Sequence, residues 1–174
     1  SLSVETVGTD DAVRRLLDDS TDLAIVVLPL ADSRLQVMEL FTEEVLLAVP
    51  RGHQWDGAVV GLVEALSHPD LLLSMRGLGL RAQVEAEAAS RGIVPAARLE
   101  LRSQQALLAM VGAGAGVAFA PRISVAGRRD VGAARLDPPL YRQVGWAYRR
   151  GRFLPPLATE LVQGVAAQAS LRTA

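Results

Sequence analysis

The order of apolar and polar positions predicts alternating strands and helices from the start of the chain. Leu2–Val7 alternates with a period of two, as a half-buried strand does, and residues 9–17 place apolar side chains at helical spacing. The unbroken apolar run Asp22–Pro29 is typical of a strand buried on both faces of a parallel sheet. Strand, helix and strand in this order predict a βαβ unit.

The rest of the chain repeats this succession. An extended stretch, Leu35–Pro50, is followed by a short helix near Leu62–Leu66 and by a second βα sequence that begins at Asp70–Ser74. The further predicted elements are helices at Leu80–Ser90, 103–111 and Leu154–Ala169, and strands at Ala97–Leu101, Val117–Ala120, Val131–Leu136 and Gln143–Tyr148. Ser103 is expected to cap its helix through the hydroxyl group.

These elements predict an α/β fold of two Rossmann-like lobes joined by crossover strands. We expect lobe one and the first crossover in residues 1–49, lobe two and the second crossover in 50–120, and the return to lobe one with the C-terminal helix in 121–174. The chain is expected to cross near residues 43–50 and 117–121. Two such lobes define a cleft between them, which is the usual place for a small ligand.

Composition narrows the functional classes. The 174 residues carry a net charge of −1, so we expect no sequence-wide attraction to nucleic acid or to an anionic membrane. The chain has no cysteine, which excludes a disulfide framework and thiolate metal sites. It contains no run of about 18 apolar residues, the length of a membrane span, and its N-terminus lacks the features of a signal peptide.

Four segments in the same order resemble the effector-binding domain of LysR-type transcription regulators, which has the type II periplasmic-binding-protein-like fold. The first is Val7-Gly8-Thr9 with Ser20–Ile25, similar to a Gly-Thr turn followed by "G-x-L-D-L-A-I". The second is Glu43–His53, similar to the crossover strand "E-x-L-x-L-V-x-x-x-H-P-L". The others are Ser103–Pro121, similar to "S-x-x-A-x-L-x-L-V-A-A-G-L-G-I-A-L-L-P", and Tyr148–Pro156, similar to the turn into the last helix.

The resemblance implies a bacterial, cytoplasmic regulator that senses a small organic effector, forms dimers or tetramers, and needs neither cofactor nor membrane. It also implies that DNA is contacted only by a helix-turn-helix domain absent from this sequence. The first strand and helix of lobe one are expected to be missing, which would leave strand edges unpaired. We therefore expect the chain to be the C-terminal piece of a longer polypeptide.

Gly8 and Thr9 are the leading candidates for effector contact in lobe one. The resemblance implies that the Thr9 hydroxyl points into the cleft, and a helix N-terminus suits an effector carboxylate. Thr9 is equally well explained as a plain N-cap. Asp10 and Asp11 already satisfy the helix dipole, so a neutral or hydroxylated effector is also allowed.

The other candidates follow the ends of predicted strands, where ligands of open α/β sheets gather. They are Leu28 and Pro29; Ser74, Met75, Arg76 and Gly77; and Phe119, Ala120 and Pro121. Arg76 is able to clamp a carboxylate, although a solvated loop arginine fits equally well. Packing in the core or at a hinge is the alternative for Phe119–Pro121 and Leu28–Pro29.

The sequence gives less support to nucleotide binding and to metal binding. The run Gly112–Gly116 ends a predicted helix and opens a strand, the reverse of a dinucleotide fingerprint, so we predict a turn there. His53 and His68 have no partner at metal-ligand spacing and are expected on the surface or in loops.

A transporter solute-binding protein of the same fold is the alternative function. An enzyme would need an acid/base pair in the cleft, of which the sequence gives no sign.

Overall fold

The computed structural model describes residues 2–172, and the surroundings of side chains as far as residue 164. The helices are α1 Thr9–Leu17, α2 Leu62–Leu66, α3 Gly79–Ala89, α4 Gln104–Gly112, α5 Arg122–Val125 and α6 Pro156–Arg172. The strands are β1 Ala24–Leu28, β2 Leu35–Pro50, β3 Val59–Gly61, β4 Leu71–Ser74, β5 Leu99–Leu101, β6 Val117–Pro121, β7 Val131–Asp137 and β8 Leu140–Arg149. Apart from the predicted N-terminal strand, the predicted elements are confirmed to within a few residues. The strand expected at Asp22–Pro29 forms as β1, but it is not a parallel strand buried on both faces, since it pairs antiparallel with β8 and Ile25 is 53% exposed.

The chain forms two compact units, one built from the chain up to Thr42 together with the chain from Gln143 onward, the other from Glu43–Arg142. This division differs from the expected return to lobe one at residue 121. Pro121 pairs with Val45 of β2, and β7 pairs with β2 and β3, so the segment after residue 121 stays within the second unit. Strands β2 and β8 each continue from one unit into the other.

The first unit is built on the antiparallel pairing of β1 with β8, in which Ala24 lies opposite Ala147 and Leu28 opposite Gln143. Helix α1 packs on this pair. The buried residues of this core are Ala12, Leu16, Val26, Leu35 and Ala147.

The predicted N-terminal strand and βαβ unit are wrong. Residues 2–8 have no strand pairing, and Leu2 and Val4 are 58% and 78% exposed. A two-residue alternation makes a strand only when a neighbouring strand accepts its backbone hydrogen bonds. No described strand lies beside residues 2–8, and β1 pairs antiparallel with β8.

The second unit has helices on both faces of a sheet. Strand β4 runs parallel to β5 and β6, and β6 pairs antiparallel with β2. Alternate residues of these strands enter opposite cores, as the two-residue period of a strand requires. Leu71 and Leu73 pack with α2 and α3, whereas Leu72 packs with α4. The apolar runs of β4 and β6 are therefore buried on both sides, as parallel strands in such sheets are.

Among the described residues, no helix is both long enough and apolar enough to span a bilayer.

Candidate functional site

The parallel strands of the second unit end together and bring two groups of predicted residues to one edge. Ser74 pairs with Leu101 of β5. Leu71 lies opposite Val117 and Leu72 opposite Ala118, and continuing this register places Ser74 level with Ala120. Ser74–Gly77 and Phe119–Pro121 therefore leave the sheet at the same carboxyl edge, which is where open α/β sheets bind ligands.

The loop from β4 to α3 is anchored at its start and turns sharply before the helix. The Met75 amide donates to the Leu101 carbonyl oxygen at 2.9 Å. Gly77 has a φ of +86°, a conformation that favours glycine. Leu78 occupies the N-cap position of α3 without a side-chain hydrogen bond, and the first turn of α3 contains no acidic residue. The positive end of α3 is thus left without a side-chain acceptor.

Arg81 lies beneath this loop and is only 5% exposed. Its Nη1 donates to the Ser74 carbonyl oxygen and to Glu100 Oε1, and its Nε donates to Glu85 Oε1, each at 2.9 Å. A buried guanidinium needs such partners, because an unpaired buried charge is costly. Arg81 was not among the site residues predicted from the sequence. The i,i+4 spacing of Arg81 and Glu85 was the one signal available.

Arg76 is the exposed cation of the loop, with 81% of its side chain accessible. Its Nε donates to Glu85 Oε1 at 3.2 Å, the same oxygen that Arg81 binds. Burial alone would raise the pKa of Glu85, but the hydrogen bonds and charges of Arg81 and Arg76 bring it below its usual value. Glu85 would keep Arg81 as a partner if Arg76 turned toward another anion.

Phe119, Ala120 and Pro121 are buried, and their side chains belong to the sheet's interior. Phe119 is 3% exposed and packs with the core that includes α2 and α3, while Ala120 packs on the opposite face with α4. This is the packing role that the sequence left open for them. Their contact with an effector stays a prediction.

The remaining predicted residues, Gly8, Thr9, Leu28 and Pro29, belong to the first unit. Gly8, not Thr9, is the N-cap of α1, and its carbonyl oxygen accepts the Ala12 amide at 2.9 Å. The N-cap prediction for Thr9 is wrong because the extended backbone that precedes the helix falls at Gly8 (φ −71°, ψ 161°). Thr9 is half-buried and begins the helix. Its contact with an effector also stays a prediction.

The first turn of α1 is occupied by acids whose charge is partly neutralised. Asp11 Oδ2 accepts Arg15 Nε at 3.1 Å, and Arg14 also binds this carboxylate. Leu28 is half-buried against the first unit's core, and Pro29 is exposed. This end of α1 therefore differs from the start of α3, which has no acid in its first turn.

The two histidines flank Trp55 in the second unit. The ring centroids of His53 and Trp55 are 5.3 Å apart and those of Trp55 and His68 are 5.1 Å apart, both in edge-on geometry. Each histidine Nδ1 accepts a backbone amide, from Trp55 at 3.2 Å and from Asp70 at 3.1 Å respectively. Burial lowers the pKa of His68 below 6.5, His53 adds to the shift, and Asp70 and Glu64 oppose it.

The described residues contain no group of three or more histidine, aspartate or glutamate side chains placed to hold a metal ion. The first unit has an open depression of about 410 Å³ lined by Asp19, Arg149, Arg150, Gly151 and Arg152. None of the predicted effector residues lines this depression.

The turn predicted at Gly112–Gly116 is confirmed, since α4 ends at Gly112 and β6 begins at Val117.

Comparison with known families identifies the class of protein. The LysR substrate binding domain family matches residues 1–170. The chain therefore belongs to the LysR substrate-binding domain family, the effector-binding domains of transcriptional regulators, as its sequence motifs predict. Its mixed α/β architecture is the type II periplasmic-binding-protein-like fold of that family, which confirms the predicted fold class.

A curated relative supports this assignment. The uncharacterized HTH-type transcriptional regulator YybE of Bacillus subtilis (strain 168) is 24% identical over 154 residues, which are 88% of this chain and 53% of YybE. The chain thus spans about half the length of this curated relative.

Two solved regulatory domains are similar in fold. The CcmR regulatory domain of Synechocystis PCC6803, in complex with 2-PG, has a TM-score of 0.85 and 18% identity over 97% of this chain and 83% of that one. The effector-binding domain of QuiR, in complex with shikimate, has a TM-score of 0.78 and 19% identity over 93% and 78% respectively.

Proposed function

We propose that this domain senses a small organic metabolite and passes the binding event on as a change in oligomer geometry that controls transcription. The match of the LysR substrate binding domain family to residues 1–170 carries the proposal. The shared carboxyl edge of β4, β5 and β6 supports it, because this is where such sheets bind ligands.

The effector contacts that we propose come from both units. In the first unit they are Gly8, Thr9, Leu28 and Pro29, and in the second unit Ser74, Met75, Arg76, Gly77, Phe119, Ala120 and Pro121. A ligand biases a two-state protein only by its differential affinity for the two states. An affinity ratio near 100 corresponds to about 2.7 kcal/mol, which is within the usual range of allosteric coupling.

The whole regulator is proposed to work as a homodimer or tetramer in the cytoplasm and to reach DNA through a helix-turn-helix domain outside this sequence. The net charge of −1 is consistent with DNA binding by that other domain, since this domain has no general electrostatic attraction to the phosphates of DNA. We propose no catalytic step and no cofactor for it.

A ligand titration tests the proposal. The first compounds are shikimate and 2-PG, which similar domains carry, followed by a panel of carboxylates and neutral polyols. We expect at least one compound to raise the melting temperature and to give a saturable calorimetric signal. Thr9→Val should weaken the response to that compound, whereas Thr159→Val, on α6, should not. A flat response to the whole panel, or equal responses of wild type and Thr9→Val, would count against the effector site.

A further inference from the structure

Three arginines lie in the tight turn that follows β8 and leads toward α6. The turn covers residues 149–152 and is closed by the Arg152 amide, which donates to the Arg149 carbonyl oxygen at 3.2 Å. Its third residue, Gly151, has a φ of +79°, a value typical of the third position in a type II turn. The turn brings Arg149, Arg150 and Arg152 to the open depression of the first unit.

Arg149 and Arg152 share one carboxylate, that of Asp19, two residues after α1. Arg152 Nη1 donates to Asp19 Oδ1 at 2.7 Å, and Arg149 Nη1 donates to Oδ2. Arg152 also pairs with Asp22, whose Oδ1 lies 2.7 Å from Nη2. The Asp19 side chain is 46% exposed, so water reaches this carboxylate. Exposed ion pairs contribute little stability, and another anion is therefore able to compete for the two arginines.

Arg150 is held by neutral groups. Its backbone amide donates to the Arg34 carbonyl oxygen at 2.8 Å. Its Nε donates to the Ser33 carbonyl oxygen at 3.1 Å, and its Nη2 to that of Leu35 at 3.3 Å. These carbonyl groups fix the guanidinium without cancelling its charge. A guanidinium has five N–H donors, so Arg150 keeps donors for an anion after making these bonds.

The residues that line the depression carry three positive charges and one negative charge, that of Asp19. Counting Asp22 beside it still leaves an excess of one positive charge. A phosphate group or a dicarboxylate has enough acceptor oxygens to bond several guanidinium groups at once. The volume of about 410 Å³ is within the usual range for small-molecule sites.

We propose that this depression binds a small dianion, a phosphate group or a dicarboxylate, between Arg150 and the pair formed by Arg149 and Arg152. Asp19 keeps that pair in position and competes with the ligand for it. The site lies within the first unit, and none of the proposed effector contacts lines it. It is therefore a second ligand site, and it does not depend on the effector site.

Calorimetric titration at constant ionic strength tests the proposal, because added salt screens exposed charges by itself. The protein is titrated with inorganic phosphate, succinate and acetate at about pH 8, where phosphate is a dianion. We expect phosphate, succinate or both to bind saturably, and acetate to bind much more weakly. The tighter of the two dianions tells a phosphate site from a dicarboxylate site. Equal binding of acetate, or no saturation by either dianion, would overturn the proposal.

Two substitutions in the depression should act in opposite directions. Arg150→Gln should weaken dianion binding by about tenfold or more, since it removes a charge-assisted contact. Asp19→Asn should tighten binding, because it removes the competing negative charge. Asparagine also tolerates the left-handed backbone of this position (φ +63°), so Asp19→Asn carries the test if Arg150→Gln does not fold. Unchanged binding in Arg150→Gln, or weaker binding in Asp19→Asn, would overturn the site.

Arg34→Gln is the matched control. Arg34 is an exposed arginine beside the carbonyl groups that hold Arg150, it pairs with Asp32, and it does not line the depression. Its removal should change dianion binding by less than about twofold. Arg76→Gln should also leave this binding unchanged. A loss in Arg76→Gln with none in Arg150→Gln would assign the signal to the effector site and overturn the second site.

Discussion

The Arg81 guanidinium donates to the carbonyl oxygen of Ser74 at 2.9 Å and thereby fastens α3 to the last residue of β4. The same side chain binds Glu85 of α3 and Glu100 of β5. One buried cation thus joins three elements at the edge where the proposed effector contacts of the second unit lie.

Arg81→Met should lower the free energy of unfolding by roughly 3 kcal/mol. The substitution removes the guanidinium that donates to the Ser74 carbonyl oxygen and that pairs with the two carboxylates of Glu85 and Glu100. Urea unfolding measures this loss. Arg91→Gln is the control: Arg91 lies just after α3, is exposed, and pairs with Glu87, so its removal should cost about 0.5 kcal/mol or less. Equal losses in the two variants would show that the Arg81 network adds no stability.

Arg76→Gln should weaken binding of a carboxylate effector by about tenfold or more, the loss of one charge-assisted contact. Stability should change little, since Arg76 is exposed and Glu85 retains Arg81. Calorimetric titration gives the affinity, and thermal unfolding gives the stability. A neutral effector should bind both proteins equally, so a loss of affinity for neutral compounds would point to a general disturbance of the loop.

Stability should fall as the pH drops below about 6.5, in part through His68. The pKa of His68 is lowered in the folded state, so below 6.5 the unfolded chain binds more protons than the folded chain, and acid favours unfolding. His68→Asn replaces Nδ1 by an amide oxygen that still accepts the Asp70 amide but does not titrate. Chemical unfolding at pH 7.5 and 5.5, followed by tryptophan fluorescence, should show a smaller pH difference in this variant. An unchanged difference would exclude His68 as its source.

Gly132→Ala should destabilise the second unit by about 1–3 kcal/mol through overpacking. A Cβ at this position would clash with Asp56 Oδ1. That carboxylate cannot easily yield, because it accepts the amides of Gly52 and Ala133. Gly164→Ala is the opposite case: no neighbour lies within 4 Å of the added carbon, and alanine favours a helix by about 0.5–1 kcal/mol. In thermal unfolding, Gly132→Ala should therefore lower the melting temperature and Gly164→Ala should raise it.

Sequence patterns were informative where local periodicity decides the structure. The apolar runs that became β4 and β6 are buried on both faces, and Ser103 does cap α4, accepting the Ala106 amide at 3.3 Å. The alternation at Leu2–Val7 forms no strand, because a strand also needs a neighbouring strand to pair with and none pairs with residues 2–8.

Buried ion pairs between residues far apart in the chain could not be predicted from local sequence patterns. Glu43 and Arg142 are 99 positions apart, and Arg81 and Glu100 are 19 apart. Nothing in either local sequence distinguishes these residues from other charged residues of the chain. Of the candidate site, the sequence located the strand ends correctly, since Ser74 and Ala120 do share an edge. It did not identify the buried arginine that supports this edge.

The two units differ in how their residues are arranged along the chain. Residues 43–142 form one uninterrupted segment, whereas β1 of the first unit pairs with residues 143–147. During synthesis on a ribosome, every strand partner of the second unit emerges before the first unit has received its β8 segment. The order of translation therefore favours folding of the second unit first, because β1 has no strand partner until residues 143–147 have been synthesised.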